Sequence, residues 1–149
     1  MPMRDWMALA LREAETAARE GEIPVGAVLV QGEELIAAEH NRREATHDPT
    51  AHAELLCLRA GSQRLGDWRL RNCTLYVTLE PCPMCAGAMV MGRLHHCVFA
   101  AADARQGCCG SVYDLPADPA LGGVTTWQQS PRPEAEALLK SFFHRKEGK

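Results

Sequence analysis

The chain has 149 residues, of which 46% are hydrophobic and 23% are charged, and it carries a net charge of −3 at pH 7. This length fits one domain, residues 1–149, with a sizeable core, and the acidic balance argues against a broad nucleic-acid-binding surface while leaving room for a local basic patch. No apolar run approaches the roughly 20 residues that a membrane helix needs, and the N-terminus lacks the layout of a secretory signal, so we expect a cytoplasmic protein.

The first half of the chain alternates between helical and strand-like patterns. Apolar residues at helical spacing, buried strand-like runs and turn residues predict, in chain order, a helix over 5–20, strands over 25–30 and 35–38 joined by a hairpin turn, and a helix over 51–60. The polar stretch between the second strand and the second helix, 41–50, is predicted as a loop. Gly61 is predicted to end the second helix.

The second half predicts two more strands and two more helices. They are a strand over Cys73–Leu79, a helix over Met84–Met91 opened by Pro83, a strand over His96–Ala101 and a terminal helix opened by Pro133. The segment between Gly107 and Pro133 predicts no clear element. This order of elements indicates an α/β fold, a three-layer α/β/α sandwich with a mixed sheet of roughly five strands.

The chain has seven cysteines, an odd number that does not resemble a small secreted disulfide scaffold. In a reducing compartment such a set indicates metal-binding or buried cysteines. Cys57, Cys73 and Cys97 are predicted to be buried within elements. The adjacent Cys108 and Cys109 leave open a second metal or redox site, which is the less favoured interpretation because neighbouring thiols pair with strain. The methionines at helical spacing after Pro83 (Met84, Met89, Met91) are predicted to be core residues.

Two short motifs each lie at the predicted start of a helix. One is His52-Ala53-Glu54, and the other is Pro81-Cys82-Pro83-Met84-Cys85. Cysteines three apart in a helical turn lie on nearly the same face, so both sulfurs can reach one ion. With Pro83 at the first helical position, Cys82 is the N-cap, where free N–H groups and the helix dipole favour thiolates.

Two cysteines supply only two ligands, whereas a catalytic zinc usually takes three protein ligands and keeps a position for water. His52 is the natural third ligand, since it alone among the histidines has a carboxylate two residues away at a helix start. Residues two apart point about 200° apart in an ideal helix, so His52 and Glu54 converge only if His52 lies in or before the first turn. Glu54 is the candidate general acid/base for a zinc-activated water. A Cys-x-x-Cys taken alone is also compatible with a redox pair.

His-x-Glu followed by Pro-Cys-x-x-Cys is the signature of zinc nucleobase deaminases. The chain also resembles the bacterial tRNA-specific adenosine deaminases, which convert the wobble adenosine of an anticodon to inosine and helped to define that signature. The resemblance runs from about Trp6 to Gly110 and includes Phe142-Phe143. The matching stretches are residues 23–30, 41–42, 47–54, 68–70, 74–82, 84–89, 98–99, 103–105 and 110–111. It implies the cytidine deaminase-like form of the sandwich, with one Zn2+ per subunit.

The resemblance also implies a substrate and partners. The substrate would be a tRNA anticodon stem-loop, with Asn41 holding the target base and its ribose. Asp103 and Arg105 would contact the neighbouring anticodon nucleotide, and Arg69 would contact others. The family forms homodimers in which both subunits build the RNA surface, so a homodimer is implied here too. Splayed single-stranded bases read on their edges, with cations on phosphates, suit this mode of binding.

The sequence departs from the family after Gly110. The family usually has a histidine-proline segment and then an Asn-His pair there, whereas this chain has Pro116-Ala117-Asp118-Pro119-Ala120-Leu121-Gly122-Gly123. With the acidic balance, this favours a second hypothesis, a zinc deaminase of a free nucleobase or nucleoside such as guanine or cytosine. A third hypothesis is an RNA-binding subunit whose zinc is structural. The intact Glu54 argues against it, because a structural site needs no general base.

Overall fold

A mixed sheet of five strands runs through the middle of the protein, and the computed structural model describes residues 4–147 of the chain. In chain order the elements are α1 (Trp6–Arg19), β1 (Gly26–Gln31), β2 (Glu34–His40), α2 (Arg43–Thr46), α3 (Ala53–Leu65), β3 (Cys73–Leu79), α4 (Pro83–Met91), β4 (His96–Ala101), a 3-10 turn (Pro119–Leu121), β5 (Thr126–Gln129) and α5 (Pro133–Glu147). The strand order is β2-β1-β3-β4-β5. The pairs β1/β2 and β1/β3 are antiparallel, whereas β3/β4 and β4/β5 are parallel.

Alternating side chains of the sheet divide the core into two layers. In β1, Ala27 and Leu29 face the cluster formed with α3 and α4, while Val28 and Val30 face the cluster formed with α1 and α5. This alternation is the period of two that a strand imposes on its side chains. The three-layer α/β/α sandwich with a mixed five-stranded sheet is therefore confirmed.

Helix α3 is longer than predicted because Gly61 does not end it. A Cβ atom at Gly61 would lie 2.2 Å from Cδ2 of Leu29, so glycine is required where the helix packs closely on the sheet. The helix ends instead at Leu65, and Gly66 follows in the left-handed conformation with φ of 70°. The prediction of a helix end at Gly61 was wrong because glycine is favoured at two kinds of position, after the last turn of a helix and where a helix packs closely on a sheet, and Gly61 is of the second kind.

Two other elements were missed by the sequence analysis. The short helix α2 lies in the stretch predicted as a loop, and β5 lies in the stretch that predicted no element. The β5 residues are mostly polar and exposed, because β5 is an edge strand that pairs only with β4. A second correction concerns Met91, which was predicted to be core but is 66% exposed at the end of α4, whereas Met89 is buried.

All seven cysteines are free, and Cys57, Cys73 and Cys97 are buried as predicted. Cys108 and Cys109 are buried too, and among residues 4–147 neither belongs to a group of side chains able to hold a metal ion. No helix in the same residues is both long enough and apolar enough to cross a membrane.

Candidate active site

The starts of α3 and α4 meet at one end of the sheet and bring three candidate metal ligands together. His52 is the N-cap of α3 and has an extended backbone, with φ of −75° and ψ of 150°. It therefore lies before the first turn, as convergence with Glu54 requires. Cys82 is the N-cap of α4 and Pro83 opens the helix, as predicted. The ligand atoms of His52, Cys82 and Cys85 all lie within 4.8 Å of one another.

The distances within this group suit a tetrahedral metal ion. Nδ1 of His52 lies 3.6 Å from Sγ of Cys82 and 3.5 Å from Sγ of Cys85. Metal–sulfur bonds of about 2.3 Å and metal–nitrogen bonds of about 2.0 Å, at a tetrahedral angle, place such atoms roughly 3.6 Å apart. These three side chains would hold one tetrahedral ion, which has a fourth position for a further ligand.

The thiols of Cys82 and Cys85 have pKa values shifted in opposite directions. Contact with the Cys85 thiol, and then with His52, lowers the pKa of Cys82 to about 4. Contact with Cys82, together with burial, raises the pKa of Cys85 above its usual value. The helix start therefore favours one thiolate, and the charge of a bound cation is what stabilises the second.

Glu54 lies in the first turn of α3 and is 4% exposed. Burial raises the pKa of its carboxyl group to about 7. A carboxyl group with a pKa in this range can both take up and release a proton near neutral pH. We refer to His52, Glu54, Cys82 and Cys85 as the catalytic floor.

A pocket opens above the catalytic floor. Its walls come from loops and strand ends, and its lining includes Asn41, Arg43, Asp103 and Gln106, which we refer to as the pocket rim. Asn41 is 5% exposed, and its side-chain oxygen accepts a hydrogen bond from the backbone N–H of Arg43 (3.2 Å). The carboxylate of Asp103 accepts one from the backbone N–H of Arg105 (3.0 Å). The structure thus places the predicted residues Asn41 and Asp103 beside the catalytic floor.

Buried polar groups fix the chain around Asn41. The ring nitrogens of the preceding residue, His40, both contact carboxylates: Nδ1 lies 2.8 Å from Glu13 of α1, and Nε2 lies 2.8 Å from Glu20, the C-cap of that helix. The carboxylate of Glu22 accepts hydrogen bonds from the backbone N–H groups of residues 44 (3.1 Å) and 45 (2.8 Å). Helix α2, which begins at Arg43, is therefore held in place from the end of α1.

Glu80 holds the opposite side of the rim, the loop of residues 103–111. It is 2% exposed, and its carboxylate accepts hydrogen bonds from the backbone N–H groups of Asp103 (3.0 Å), Cys109 (2.9 Å) and Ser111 (3.1 Å). The Ser111 hydroxyl donates a further one. Burial acts to raise the pKa of Glu80, but these hydrogen bonds, chiefly those from Ser111, hold it below its usual value.

The two predicted arginines lie outside this pocket. Arg105 lines a neighbouring groove together with Leu139 and Phe143 of α5. Arg69 lies in a separate surface groove, pairs with Asp67 at 3.1 Å and stacks on Trp68 with 4.5 Å between its guanidinium carbon and the ring centroid. Arg69 precedes β3 while the pocket lies at the far end of that strand, roughly 20 Å away for seven residues.

Three polar or charged residues of the pocket were not singled out as site residues from the sequence: Arg43, Glu80 and Gln106. Arg43 follows the recognised pair Asn41-Arg42, and its place on the rim depends on α2, which no pattern predicted. Glu80 lies directly before the cysteine motif, where a conventional interpretation takes it as a solvent-exposed strand end. Its burial depends on the 103–111 loop, which is distant in sequence.

Comparison with known proteins agrees with this site. The family model of MafB19-like deaminases matches residues 1–147. A tRNA-specific adenosine deaminase of Aquifex aeolicus is 43% identical over 138 residues, which cover 93% of this chain and 91% of that protein. A solved structure from work on A-to-I editing by tRNA:A34 deaminases at the wobble position superposes with a TM-score of 0.81, at 38% identity, covering 84% of this chain and 96% of that one.

A guanine deaminase of Nitrosomonas europaea also superposes, with a TM-score of 0.76 at 25% identity, covering 92% of this chain and 82% of that one. The identity to this enzyme is lower than the identity to the two adenosine deaminases, although the fold is shared. These matches extend over nearly the whole chain. The chain is therefore a member of the MafB19-like deaminase family and of the tRNA-specific adenosine deaminases.

Proposed function

We propose that the protein is a zinc-dependent hydrolase that deaminates adenosine to inosine at the wobble position of a tRNA anticodon. The observation that carries this proposal is the meeting of a buried general acid/base, Glu54, with three ligands at tetrahedral spacing, His52, Cys82 and Cys85. Sulfur and nitrogen ligands with an open fourth position are typical of catalytic zinc. The relatives that act on tRNA give the substrate class.

The chemistry follows from the catalytic floor. When bound, zinc would supply the nucleophile by acidifying a water molecule at neutral pH. The carboxylate of Glu54 takes one proton from the water, the water oxygen bonds to C6 of the adenine, and the π electrons of the C6–N1 double bond move to N1. Glu54 then delivers the proton to the exocyclic nitrogen, so that the C6–N6 bond breaks and ammonia leaves, while the second proton of the water ends on N1 of inosine. One water is consumed for each inosine and ammonia formed.

The pocket rim orients the target nucleotide. The Asn41 amide is oriented at the pocket wall by two hydrogen bonds, one accepted from the N–H of Arg43 and one donated to the carbonyl of Ile23 (3.4 Å), and we assign to it the contact with the target base and ribose. Asp103 and Arg105 contact the neighbouring nucleotide. Arg43 is exposed, pairs with no carboxylate among residues 4–147 and lines the pocket, where its guanidinium would contact a phosphate of the bound nucleotide. A cation there favours a polynucleotide over a free base.

The protein acts as a homodimer through the face of α3 and α4. This face has an apolar groove lined by Leu55, Leu58, Trp68, Leu70 and Met91, and Trp68 and Met91 are 53% and 66% exposed. Large exposed apolar residues of this kind indicate a protein–protein contact. Since Arg69 adjoins Trp68 and lies far from its own pocket, it would reach RNA bound at the partner subunit's site.

The cytoplasm is the compartment that suits this function. All seven cysteines are free, which fits a reducing environment, and mature or precursor tRNA is the substrate. The proposed site also requires Cys82 and Cys85 as thiolate ligands, so an oxidising environment that joined them would destroy it.

The competing function is deamination of a free nucleobase, favoured by the fold shared with the guanine deaminase. Purified zinc-loaded protein would be incubated with an anticodon stem-loop that carries adenosine at the wobble position, and inosine would be measured by mass spectrometry. The same stem-loop with cytidine at that position, and free guanine, cytosine and adenine, serve as controls. We expect inosine from the adenosine stem-loop alone. Ammonia release from a free base, with no inosine in the stem-loop, would overturn the proposal.

A further inference from the structure

Glu80 is a buried carboxylate beside the active site that the chemistry does not use. It directly follows β3, it is 2% exposed, and it lies two residues before the ligand Cys82. Its own backbone N–H donates to the carbonyl of Ala101 at 2.8 Å, which continues the pairing of β3 with β4. The side chain thus extends from the end of β3, the central strand of the sheet, into the 103–111 loop.

Among residues 4–147, all the hydrogen-bond partners of the Glu80 carboxylate belong to that loop. One oxygen accepts from the N–H of Asp103 and from the Ser111 hydroxyl, and the other accepts from the N–H groups of Cys109 and Ser111. Hydrogen bonds to an ionised group contribute more net stability than those between neutral groups. The carboxylate therefore holds both ends of the loop, near residues 103 and 111, against the end of β3.

The loop is shaped to receive this carboxylate. A Cβ atom at Gly107 would lie 2.4 Å from the carboxyl carbon of Glu80, so only glycine leaves space for the side chain. The backbone N–H of Cys108 donates to the carbonyl of Pro81 at 2.9 Å, which fastens the middle of the loop to the segment that leads into α4. The loop passes around Glu80 and carries Asp103 and Gln106 to the pocket wall.

We propose that Glu80 is a positioning residue for RNA binding, which holds the 103–111 loop in the shape that presents Asp103, Arg105 and Gln106 to the anticodon. It touches neither the metal nor the reacting atoms. Its effect on the reaction passes through the loop, and so it acts on recognition of the nucleotides around the target adenosine. This inference rests on the proposed function, since the nucleotides that the loop contacts are those of an anticodon.

The test compares Glu80→Gln with the wild type in two measurements. The amide side chain keeps the size of Glu80 but replaces one acceptor oxygen by a donor that faces backbone N–H groups. We expect the backbone amides of Asp103, Cys109 and Ser111 to exchange hydrogen faster by about tenfold or more, with amides of β1 and β3 unchanged. We also expect KM for the stem-loop to rise about tenfold while kcat stays within about threefold and metal content stays at one ion per chain.

Further variants keep the inference testable if Glu80→Gln folds poorly. Ser111→Ala removes one donor and should shift exchange and KM in the same direction but less. Its effect should be less than additive with Glu80→Gln, since both act on one network. Asp118→Asn is the matched control, because that carboxylate accepts a backbone N–H from Ala120 at 2.9 Å in a loop outside the pocket. It should leave both KM and the exchange of the 103–111 loop unchanged.

Three results would overturn the inference: unchanged exchange in Glu80→Gln, faster exchange with an unchanged KM, or a fall in kcat alone. Failure of the proposed function is distinguishable from all of these. In that case the wild type and Asp118→Asn form no inosine, while the exchange measurement still decides whether Glu80 holds the loop.

Discussion

The catalytic floor and the pocket rim are built in different ways. The floor consists of side chains at the starts of α3 and α4, where the motif spacing and the helix geometry place them. The rim consists of loop residues whose positions depend on buried carboxylates, Glu22 on one side and Glu80 on the other. The difference separates two tasks. In the proposed function, the floor does the chemistry on the amino group, and the rim selects the molecule that carries that amino group.

The largest effect is expected from removing a ligand of the floor. Cys82→Ser should abolish inosine formation and lower the metal content well below one ion per chain, because a serine hydroxyl at this position replaces a thiolate ligand. Metal analysis and the stem-loop assay measure both quantities. Cys73→Ala is the control, since it removes a buried thiol at the start of β3 and should keep metal and activity. A Cys82→Ser protein that retains full activity would break the distinction between floor and rim.

A smaller effect is expected at the rim from Arg43→Ala. We expect KM for the stem-loop to rise roughly five- to tenfold with kcat little changed, because a phosphate contact is lost and the floor is intact. The slope of log affinity against log salt should fall by roughly 0.7 to 1. Arg42→Ala is the matched control. The guanidinium of Arg42 lies next to Arg43 in the sequence, but it is 3.8 Å from the carboxylate of Glu39 and does not line the pocket. An equal rise in KM for both variants would show that the net positive charge of this region, and not the position of Arg43 in the pocket, determines RNA binding.

The smallest effect is expected from separating the subunits. Met91→Lys introduces a charge into the apolar face of α3 and α4, and it should shift the mass measured by light scattering from dimer towards monomer. KM for the stem-loop should rise severalfold at low protein concentration, because Arg69 of the partner subunit no longer reaches the RNA. Ala137→Lys, on the exposed side of α5, is the control. A monomeric Met91→Lys protein with wild-type KM would show that Arg69 of the partner subunit does not contact the bound RNA.

The sequence predicted the sheet and the floor because both depend on local patterns. Alternating and apolar runs located four of the five strands, and capping residues located the starts of α3 and α4. Cys82 lies at an N-cap with Pro83 next to it, as the motif required. These features need only a few neighbouring residues, so one sequence contains the information.

The rim could be predicted only in part, because its contacts join distant residues. Glu22 accepts a hydrogen bond from the N–H of Glu44, which is 22 residues away in the sequence. Glu80 accepts one from the N–H of Ser111, which is 31 residues away. No local pattern marks such pairs, and α2 and the role of Arg43 were missed for this reason. Asn41 and Asp103 were identified through family resemblance, and the structure places both at the pocket. β5 was missed because a polar edge strand lacks the alternation of a buried one.

The most direct test of the account is a comparison of Glu54→Gln with the wild type on the wobble-adenosine stem-loop. The substitution keeps the size of the side chain and the three metal ligands but removes the group that moves the proton. We predict one zinc ion per chain, a stem-loop Kd within about threefold of the wild type, and inosine formation reduced by about a hundredfold or more in single-turnover experiments. Inosine formation at the wild-type rate, with metal and RNA bound, would contradict the account.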